Sequence, residues 1–304
     1  MANVAVLGAP TEAGTYRRGC IMGPAALRTA GLIESLRALG HTIADDRDLT
    51  PDPVAIADAA YAPARGVGRT AGWVRAVRRA FGEALRDGTV PILLGGDHSI
   101  AAGSLAAIMD VRPETHVVWL DAHPDFNTLT TTTSGNLHGI PVAIASGLEG
   151  ADLIYGAPIT PLDPHAITMI GIRSVDPDER ALLTRHGITV HDMRDVDEFG
   201  MGELIRRTIR RAGEAGAPLH VSLDVDFLDP DVAPAVGTTV PGGATVREAH
   251  LAMELLHESG RVASLDIVEL NPFLDERGRT ATLMVDLAAS LFGRTIMDRP
   301  TKAW

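Results

Sequence analysis

The sequence predicts an α/β fold in which helices cover both faces of a central, mostly parallel sheet of about eight strands. Short apolar segments alternate with longer segments of helical periodicity along the whole chain. Several short segments, such as His116–Leu120, are apolar throughout, which is typical of parallel strands buried on both faces. No linker or internal repeat divides the chain, so we expect one domain over residues 1–304. A closed barrel is the alternative architecture, because counts of strands and helices do not separate it from an open sheet.

The predicted strands are short and rich in apolar and β-branched residues. The first, Val4–Leu7, ends at Gly8-Ala-Pro. Thr42–Asp48 is expected to be an edge strand. The remaining predicted strands are, in order, Val90–Leu94, His116–Leu120, Ala166–Ile172, Gly187–His191, Leu219–Leu223 and Val262–Val268.

Segments of helical periodicity fill the gaps between these strands. Pro24 suits the first turn of a helix, where its missing amide hydrogen costs nothing, and a helix is expected over Pro24–Leu39. Gly66-Val-Gly-Arg-Thr-Ala-Gly resembles a dinucleotide-binding turn, but no strand precedes it and its glycine spacing differs, so we reject that interpretation. The other predicted helices are Gly68–Asp87, one from His98–Ile100 to about Met109, Gly139–Ala145, Pro177–Arg185, Gly202–Ala215, Val246–Ser259 and Thr280–Leu291.

The composition narrows the classes of partner and compartment. A formal net charge of −12 argues against nucleic acid or an anionic membrane as partner. This charge would favour a cationic substrate, or it forms an acidic surface that keeps the protein soluble. A single cysteine, Cys20, excludes an intramolecular disulfide and fits a reducing compartment. Because the sequence shows no signal peptide and no long apolar segment, we expect a soluble, cytoplasmic protein.

The chain is organised around the segment Asp121–Gly139, which follows the apolar strand His116–Leu120. Asp121, His123 and Asp125 come directly after that strand, two positions apart. If the extended conformation persists, their side chains point to one side, because side-chain direction alternates along a strand. Ionisable groups gathered in this way repel and desolvate one another, and a multivalent cation would remove that penalty.

Two further strand ends carry residues of the same kinds. Asp97-His98 follows Val90–Leu94, and Asp224 and Asp226 follow Leu219–Leu223. Each motif alone is more typical of a helix cap or turn, but the carboxyl ends of parallel strands meet at one edge, where ligands bind. The combined candidate metal ligands are His98, Asp121, His123, Asp125, Asp224 and Asp226. This set is too large for one catalytic ion and suits two ions that share Asp ligands, Mn²⁺ above all, with Fe²⁺, Co²⁺ or Zn²⁺ as competitors.

Five motifs carry a resemblance to a known family. They are Gly95-Gly-Asp-His-Ser, Asp121-Ala-His-Pro-Asp, Ser134-Gly-Asn-Leu-His-Gly, Ser222-Leu-Asp-Val-Asp-Phe-Leu-Asp-Pro and Asp266-Ile-Val-Glu-Leu-Asn-Pro. In this order they resemble the ureohydrolase family of arginases and agmatinases, and the arginases most closely. The resemblance extends over nearly the whole chain. It implies a three-layer α/β/α fold, a pair of Mn²⁺ ions in each subunit, and a homo-oligomer, either a trimer or a hexamer.

The resemblance also implies the roles of the metal ligands and of the catalytic residues. One ion would be bound by His98 and Asp125 and the other by His123 and Asp226, with Asp121 and Asp224 bridging both. The ions would supply a hydroxide that attacks the carbon of a guanidinium group. Glu269 would hold the guanidinium by charge-assisted hydrogen bonds, and Asp125 would pass a proton to the leaving amine. His138 would act as the proton shuttle.

Substrate binding is implied in the same way. The residues assigned to the substrate are Asn127, Thr132, Ser134, Asp176, Glu179 and Thr238. The first three correspond to arginase residues that bind the α-carboxylate, and Asp176 and Glu179 to residues that bind the α-amino group. Agmatinase-like relatives, whose substrate has no carboxylate, generally lack the segment around Ser134. The predicted reaction is therefore hydrolysis of L-arginine to L-ornithine and urea.

Other functions stay open at this point. Pro124 and Leu129 depart from the family pattern beside the substrate segment, which leaves room for Nω-hydroxyarginine, another guanidino acid or agmatine. A metal-binding protein with a vestigial site is the alternative from a different class, and the complete ligand set argues against it. An amide deacylase with a single Zn²⁺ is a further alternative, and the number of metal ions bound per chain discriminates it.

Overall fold

An eight-stranded sheet forms the centre of the computed structural model, which describes residues 1–56 and 61–297. All of the predicted strands are present. They are β1 (Asn3–Ala9), β2 (Thr42–Asp48), β3 (Val90–Gly95), β4 (His116–Leu120), β5 (Ile167–Ile172), β6 (Thr189–Asp192), β7 (Leu219–Asp224) and β8 (Val262–Val268). Residues 57–60 and 298–304, which belong to the predicted domain, lie outside the described residues.

The strand order is β2-β1-β3-β8-β7-β4-β5-β6, and every pairing is parallel. The prediction of a mostly parallel sheet is confirmed, and so is the position of β2 at an edge. Within residues 1–56 and 61–297 the second edge is β6, so the sheet is open and the alternative of a closed barrel is wrong.

Helices cover both faces of this sheet and complete the three layers. They are α1 (Gly23–Thr29), α2 (Leu32–Ala38), α3 (Val67–Arg86), α4 (Ala101–Val111), α5 (Pro141–Ala145), α6 (Ala151–Tyr155), α7 (Pro177–His186), α8 (Met193–Phe199), α9 (Met201–Glu214), α10 (Val246–Glu258) and α11 (Arg279–Leu291). Alternate strand residues enter different cores: Val118 belongs to the core that includes residues of α1, α2 and α8 to α11, whereas Trp119 belongs to the core that includes residues of α3, α4, α5 and α7. No described helix is both long and apolar enough to cross a membrane.

Three helix predictions need correction. Pro24–Leu39 is two helices, α1 and α2, because Gly31 adopts a left-handed conformation with φ 94°, which interrupts the helical hydrogen bonds. The predicted helix at His98–Ile100 begins as a 3₁₀ helix before α4, and the one at Gly139–Ala145 is likewise preceded by a 3₁₀ turn. The short helices α6 and α8 were not predicted.

The strand order brings the carboxyl ends of β3, β8, β7 and β4 side by side. Leu94 pairs with Ile267 between β3 and β8, and Leu120 pairs with Leu223 between β4 and β7. The loops that follow these four strands therefore open on the same edge of the sheet. β3 and β4 are consecutive along the chain, yet β8 and β7 lie between them.

Candidate active site

His98 follows β3 and is held rigidly at the floor of the site. Its ring stacks on Trp119, with 4.1 Å between ring centroids and 6° between ring planes. Nε2 of His98 lies 2.8 Å from Oγ of Ser222, a buried residue of β7. Because the hydroxyl occupies Nε2, the other ring nitrogen, Nδ1, faces the aspartates of the site.

The loop after β4 does not stay extended, so the alternation argument for Asp121, His123 and Asp125 is wrong. The strand ends at Leu120, and the chain then bends. Oδ1 of Asp121 accepts a hydrogen bond from the amide of His123 at 2.6 Å, which closes the bend. Asp125 adopts a left-handed conformation with φ 50°. The three side chains still converge, because of this bend and not because of strand geometry.

Two groups of possible metal ligands share Asp121. Oδ2 of Asp121 lies 3.1 Å from Nδ1 of His98, which also lies 3.2 Å from Oδ2 of Asp125. Oδ1 of Asp121 lies 3.5 Å from Nδ1 of His123, which lies 3.1 Å from Oδ2 of Asp226. The donor atoms of each triad lie within 4.8 Å of one another.

Asp224, the last of the predicted metal ligands, joins this arrangement from β7. Its Oδ2 lies 3.1 Å from Nδ1 of His98, and its Oδ1 accepts the amide of Asp226 at 2.8 Å. The structure therefore brings all six predicted ligands together and places Asp121 between the two histidines. Asp224 contacts the His98 side of the site.

The donor set fits a pair of cations. Nδ1 of His98 and Oδ2 of Asp121 are buried and have no hydrogen-bond partner among the described residues. Burial and the Asp121 carboxylate raise the pKa of Asp125 to about 6. Burial lowers the pKa of His98, but the carboxylates of Asp121, Asp125 and Asp224 outweigh burial and raise it well above the ordinary value. The site thus favours positive charge, and carboxylates with one imidazole per ion suit Mn²⁺ and its neighbours.

Glu269 and His138 form a pair at the side of the aspartates. Glu269 follows β8 in a left-handed conformation with φ 65°. Its Oε1 accepts hydrogen bonds from the amide of His98 at 2.8 Å and from Nδ1 of His138 at 2.9 Å. Burial opposes the charged form of His138, but Glu269 outweighs burial and raises the pKa of His138 to about 9. Nδ1 of His138 is thus bound to Glu269, and the residue lines the cavity described next.

A polar cavity of about 290 Å³ opens above these groups. All six residues assigned to the substrate line it: Asn127, Thr132, Ser134, Asp176, Glu179 and Thr238. His138 also lines it, together with His123, Asp125 and Asp224. The remaining metal-ligand candidates and Glu269 are buried beside it. The residues assigned from the sequence therefore lie in a single connected site, with the candidate metal ligands at its floor.

The outer end of the cavity is formed by the hydroxyl groups of a turn and by two acidic residues, Asp176 and Glu179. The hydroxyls of Thr132 and Ser134 accept the amides of Gly135 and Asn136, at 3.2 Å each, and thus stabilise the turn while they line the cavity. Oδ2 of Asp176 accepts Nδ2 of Asn127 at 3.3 Å.

Glu179 has a second role at this end of the site. Its carboxylate accepts the amide of Phe126 at 2.8 Å and that of Asp176 at 3.3 Å, the latter within the capping box of α7. Burial raises the pKa of Glu179 to about 8. The Glu179 side chain therefore fixes the loop after β4, at Phe126, to the start of α7.

Four further side chains that line the cavity were missed. They are Tyr16, Thr133, Asn136 and Ser174. Asn136 stands inside the motif Ser134-Gly-Asn-Leu-His-Gly, and Ser174 lies two residues before Asp176, so their positions could have been inferred. Tyr16 belongs to the loop after β1, and no local pattern connects that loop with the site.

Paired cation ligands below a polar cavity, at the carboxyl edge of an open parallel sheet, define a metallohydrolase with an α/β fold. The chain belongs to the Arginase family, whose sequence model matches residues 2–293.

Comparisons with individual arginases support this assignment. The chain is 51% identical to an arginase of Brucella suis over 300 residues, which cover 97% of this chain and 98% of that protein. The solved structure of arginase from Bacillus caldovelox is 39% identical and superposes with a TM-score of 0.92, covering 98% of this chain and 100% of that one. Arginase from Bacillus cereus is 37% identical with a TM-score of 0.90, again over 98% and 100% of the two chains.

Proposed function

We propose that this protein hydrolyses L-arginine to L-ornithine and urea. The observation that carries the proposal is the cavity, which combines a carboxylate-rich floor with hydroxyl, amide and acidic side chains at its outer end. The similarity to an arginase of Brucella suis over nearly the full length of both proteins supports it.

We assign the six ligands to two Mn²⁺ ions, with Co²⁺, Fe²⁺ or Zn²⁺ as possible substitutes. His98 and Asp125 would hold one ion and His123 and Asp226 the other. Asp121 would bridge both, since its two oxygens face different histidines, and Asp224 is assigned as the second bridge. When bound, such a pair of ions supplies Lewis acidity and lowers the pKa of water.

The residues around the floor would position the guanidinium and move protons. Both hydrogen bonds to Glu269 end on Oε1, so we assign Oε2 to the guanidinium nitrogen atoms. Asp125 adjoins both the floor and the cavity, which suits transfer of a proton to the leaving amine. His138 would exchange protons between the cavity and solvent through Nε2.

The outer end of the cavity would distinguish arginine from other guanidino compounds. Asn127, Thr132 and Ser134 offer neutral polar groups to the α-carboxylate. Asp176 offers a carboxylate to the α-ammonium. Glu179 would hold Asp176 in place, because its carboxyl group accepts the amides of Asp176 and Phe126. The hydroxyl of Thr238, which lines the cavity, donates to Oδ2 of Asp226 at 3.2 Å. Thr238 would therefore connect the bound substrate with a metal ligand.

Leu129 is a departure from the family pattern that the structure explains. It is buried in the apolar cluster beside α5 and α6 and contacts Gly150, so it supports the loop that carries Asn127, Thr132 and Ser134 from the side away from the cavity. We therefore propose that it leaves the choice of L-arginine intact. We further propose a single domain, a cytoplasmic location, and a trimer or hexamer in solution.

Urea release from Mn²⁺-loaded protein tests the proposal, with L-arginine, agmatine, 4-guanidinobutyrate and Nω-hydroxyarginine assayed side by side. We expect the highest kcat/KM for L-arginine and near-complete loss of activity in Asp125→Asn. Asp197→Asn, a change of the same kind on the exposed surface of α8, is the control and should leave activity unchanged. Preferred turnover of another compound would overturn the assignment of the outer end, and no urea from any of them would overturn the activity itself.

A further inference from the structure

Asp97 is a fully buried carboxylate beside the site that none of the roles above includes. It precedes His98 and is 0% exposed. Oδ1 accepts the amide of Ser99 at 3.1 Å and its hydroxyl at 2.5 Å, which caps the 3₁₀ helix that carries His98. Oδ2 accepts the amide of Gly14 at 2.9 Å, from a residue 83 positions away in sequence. One carboxylate thus ties the metal floor to the loop after β1.

Gly14 in turn holds the backbone of the shuttle residue. Its carbonyl oxygen accepts the amides of Leu137 at 2.7 Å and His138 at 3.1 Å. Gly14 approaches Asp97 very closely: a Cβ atom at this position would lie 2.6 Å from Oδ1 of Asp97 and 2.8 Å from Ser99. Only glycine therefore fits here without a shift of the loop.

We propose that Asp97 is a positioning residue for the hydrolysis reaction, which sets the place of His138 through Gly14. His138 is held at two points: Glu269 binds its ring, and the carbonyl of Gly14 binds its amide. Without the second contact the ring would still bind Glu269, but its backbone would lose the link to the segment that carries His98. This inference rests on the proposed function, since it concerns the proton shuttle of that reaction.

Asp97→Asn is the main test, because an amide cannot accept at both positions at once. If the amide oxygen serves Ser99, the NH₂ group faces the Gly14 amide, and if it serves Gly14 the helix cap is lost. Gly14→Ala breaks the same connection from the loop side. Thr15→Ala is the matched control, since within the part of the chain that the structure describes its hydroxyl accepts only the nearby amide of Arg17. At saturating Mn²⁺ we expect kcat to fall roughly tenfold or more in the first two variants, with KM unchanged, and no change in Thr15→Ala.

A double-mutant cycle separates positioning from a general structural role. If Asp97 acts through His138, then Asp97→Asn should cause no further loss of kcat in a His138→Asn background. Additive losses, or an unchanged kcat in Asp97→Asn at saturating Mn²⁺, would each overturn the inference.

Hydrogen exchange separates this inference from the proposed function. The amides of Leu137 and His138 should exchange faster in Asp97→Asn and Gly14→Ala than in the wild type. If the wild type releases no urea, the proposed function fails, and the exchange rates still decide whether Asp97 holds the shuttle segment. Equal rates in all of the proteins would overturn the inference whatever the activity.

Discussion

Ser222 and His98 are joined by a 2.8 Å hydrogen bond between Oγ and Nε2, so a buried serine of β7 orients an imidazole that follows β3. The two strands are not neighbours, since β8 lies between them. The bond fixes which ring nitrogen faces the aspartates, and partners of this kind strengthen metal binding.

Ser222→Ala should therefore weaken the binding of Mn²⁺ about tenfold or more, because His98 loses the group that orients it. Calorimetric titration of metal-free protein measures this. Ser264→Ala removes a comparable buried hydrogen bond, to Nδ1 of His220, and is the control. Equal Mn²⁺ affinity in Ser222→Ala and the wild type would contradict the role of Ser222.

Replacement of Asp121 and replacement of Asp226 should reduce the number of bound Mn²⁺ ions by different amounts. Asp226 belongs to the triad of His123 alone, whereas Asp121 belongs to both. At limiting free Mn²⁺, Asp226→Asn should retain about one ion per chain and Asp121→Asn close to none. Metal analysis after gel filtration measures the content. Loss of a single ion from Asp121→Asn would show that Asp121 does not bridge.

Ser134 and Asp176 should bind different groups of the substrate, the α-carboxylate and the α-ammonium respectively. Ser134→Ala should raise KM for L-arginine about tenfold and leave agmatine unaffected, because agmatine has no carboxylate. Asp176→Asn should raise KM for both, since both carry an ammonium group. Steady-state urea release measures the four values. Thr130→Ala is the control. Thr130 belongs to the same loop as Ser134 but does not line the cavity, and its hydroxyl donates to Glu149. Equal effects of Ser134→Ala on both substrates would contradict the assignment.

His116 should make stability depend on pH. Burial, with a smaller effect from Arg211, lowers the pKa of this histidine to about 4 in the folded protein, from an ordinary value of 6.5. The unfolded chain therefore binds the proton first, so the stability associated with neutral His116 is complete above pH 6.5 and is lost as pH falls towards 4. The loss amounts to about 3 kcal/mol.

Urea unfolding of wild type and His116→Gln between pH 7 and 4 measures this effect, in a chelating buffer so that metal loss does not contribute. The free energy of unfolding of the wild type should fall more steeply than that of the variant. Parallel curves would show that His116 does not titrate between these limits. His116 donates to or accepts from Thr168 at 2.9 Å, a bond that glutamine is able to keep.

The fold, and the edge of the sheet at which the candidate ligands lie, could be predicted because both depend on local pattern. Apolar segments that end in Asp or His identify strand ends, and parallel strands bring their carboxyl ends to one edge. The reason for the convergence of Asp121, His123 and Asp125 could not be predicted. It depends on a bend and on the left-handed Asp125, which no period of apolar residues encodes.

Contacts between distant segments were beyond the sequence for a different reason. The loop after β1 brings Tyr16 to the cavity and Gly14 to Asp97, and these contacts follow from the position of β1 beside β3. The split of Pro24–Leu39 was visible in principle, since Gly31 lies within the predicted helix. Glycine is compatible with the interior of a helix, however, and only the left-handed conformation of Gly31 at the start of α2 shows that the chain turns there.

Asp125 and Glu269 share the left-handed backbone conformation described above, which costs a residue with a side chain about 1–2 kcal/mol. Glycine would adopt this conformation without strain, but Glu269→Gly would also leave the amide of His98 and Nδ1 of His138 without their acceptor. The strained backbone and the contacts of the side chain therefore come together, and glycine at this position would lose the contacts to gain the easier backbone.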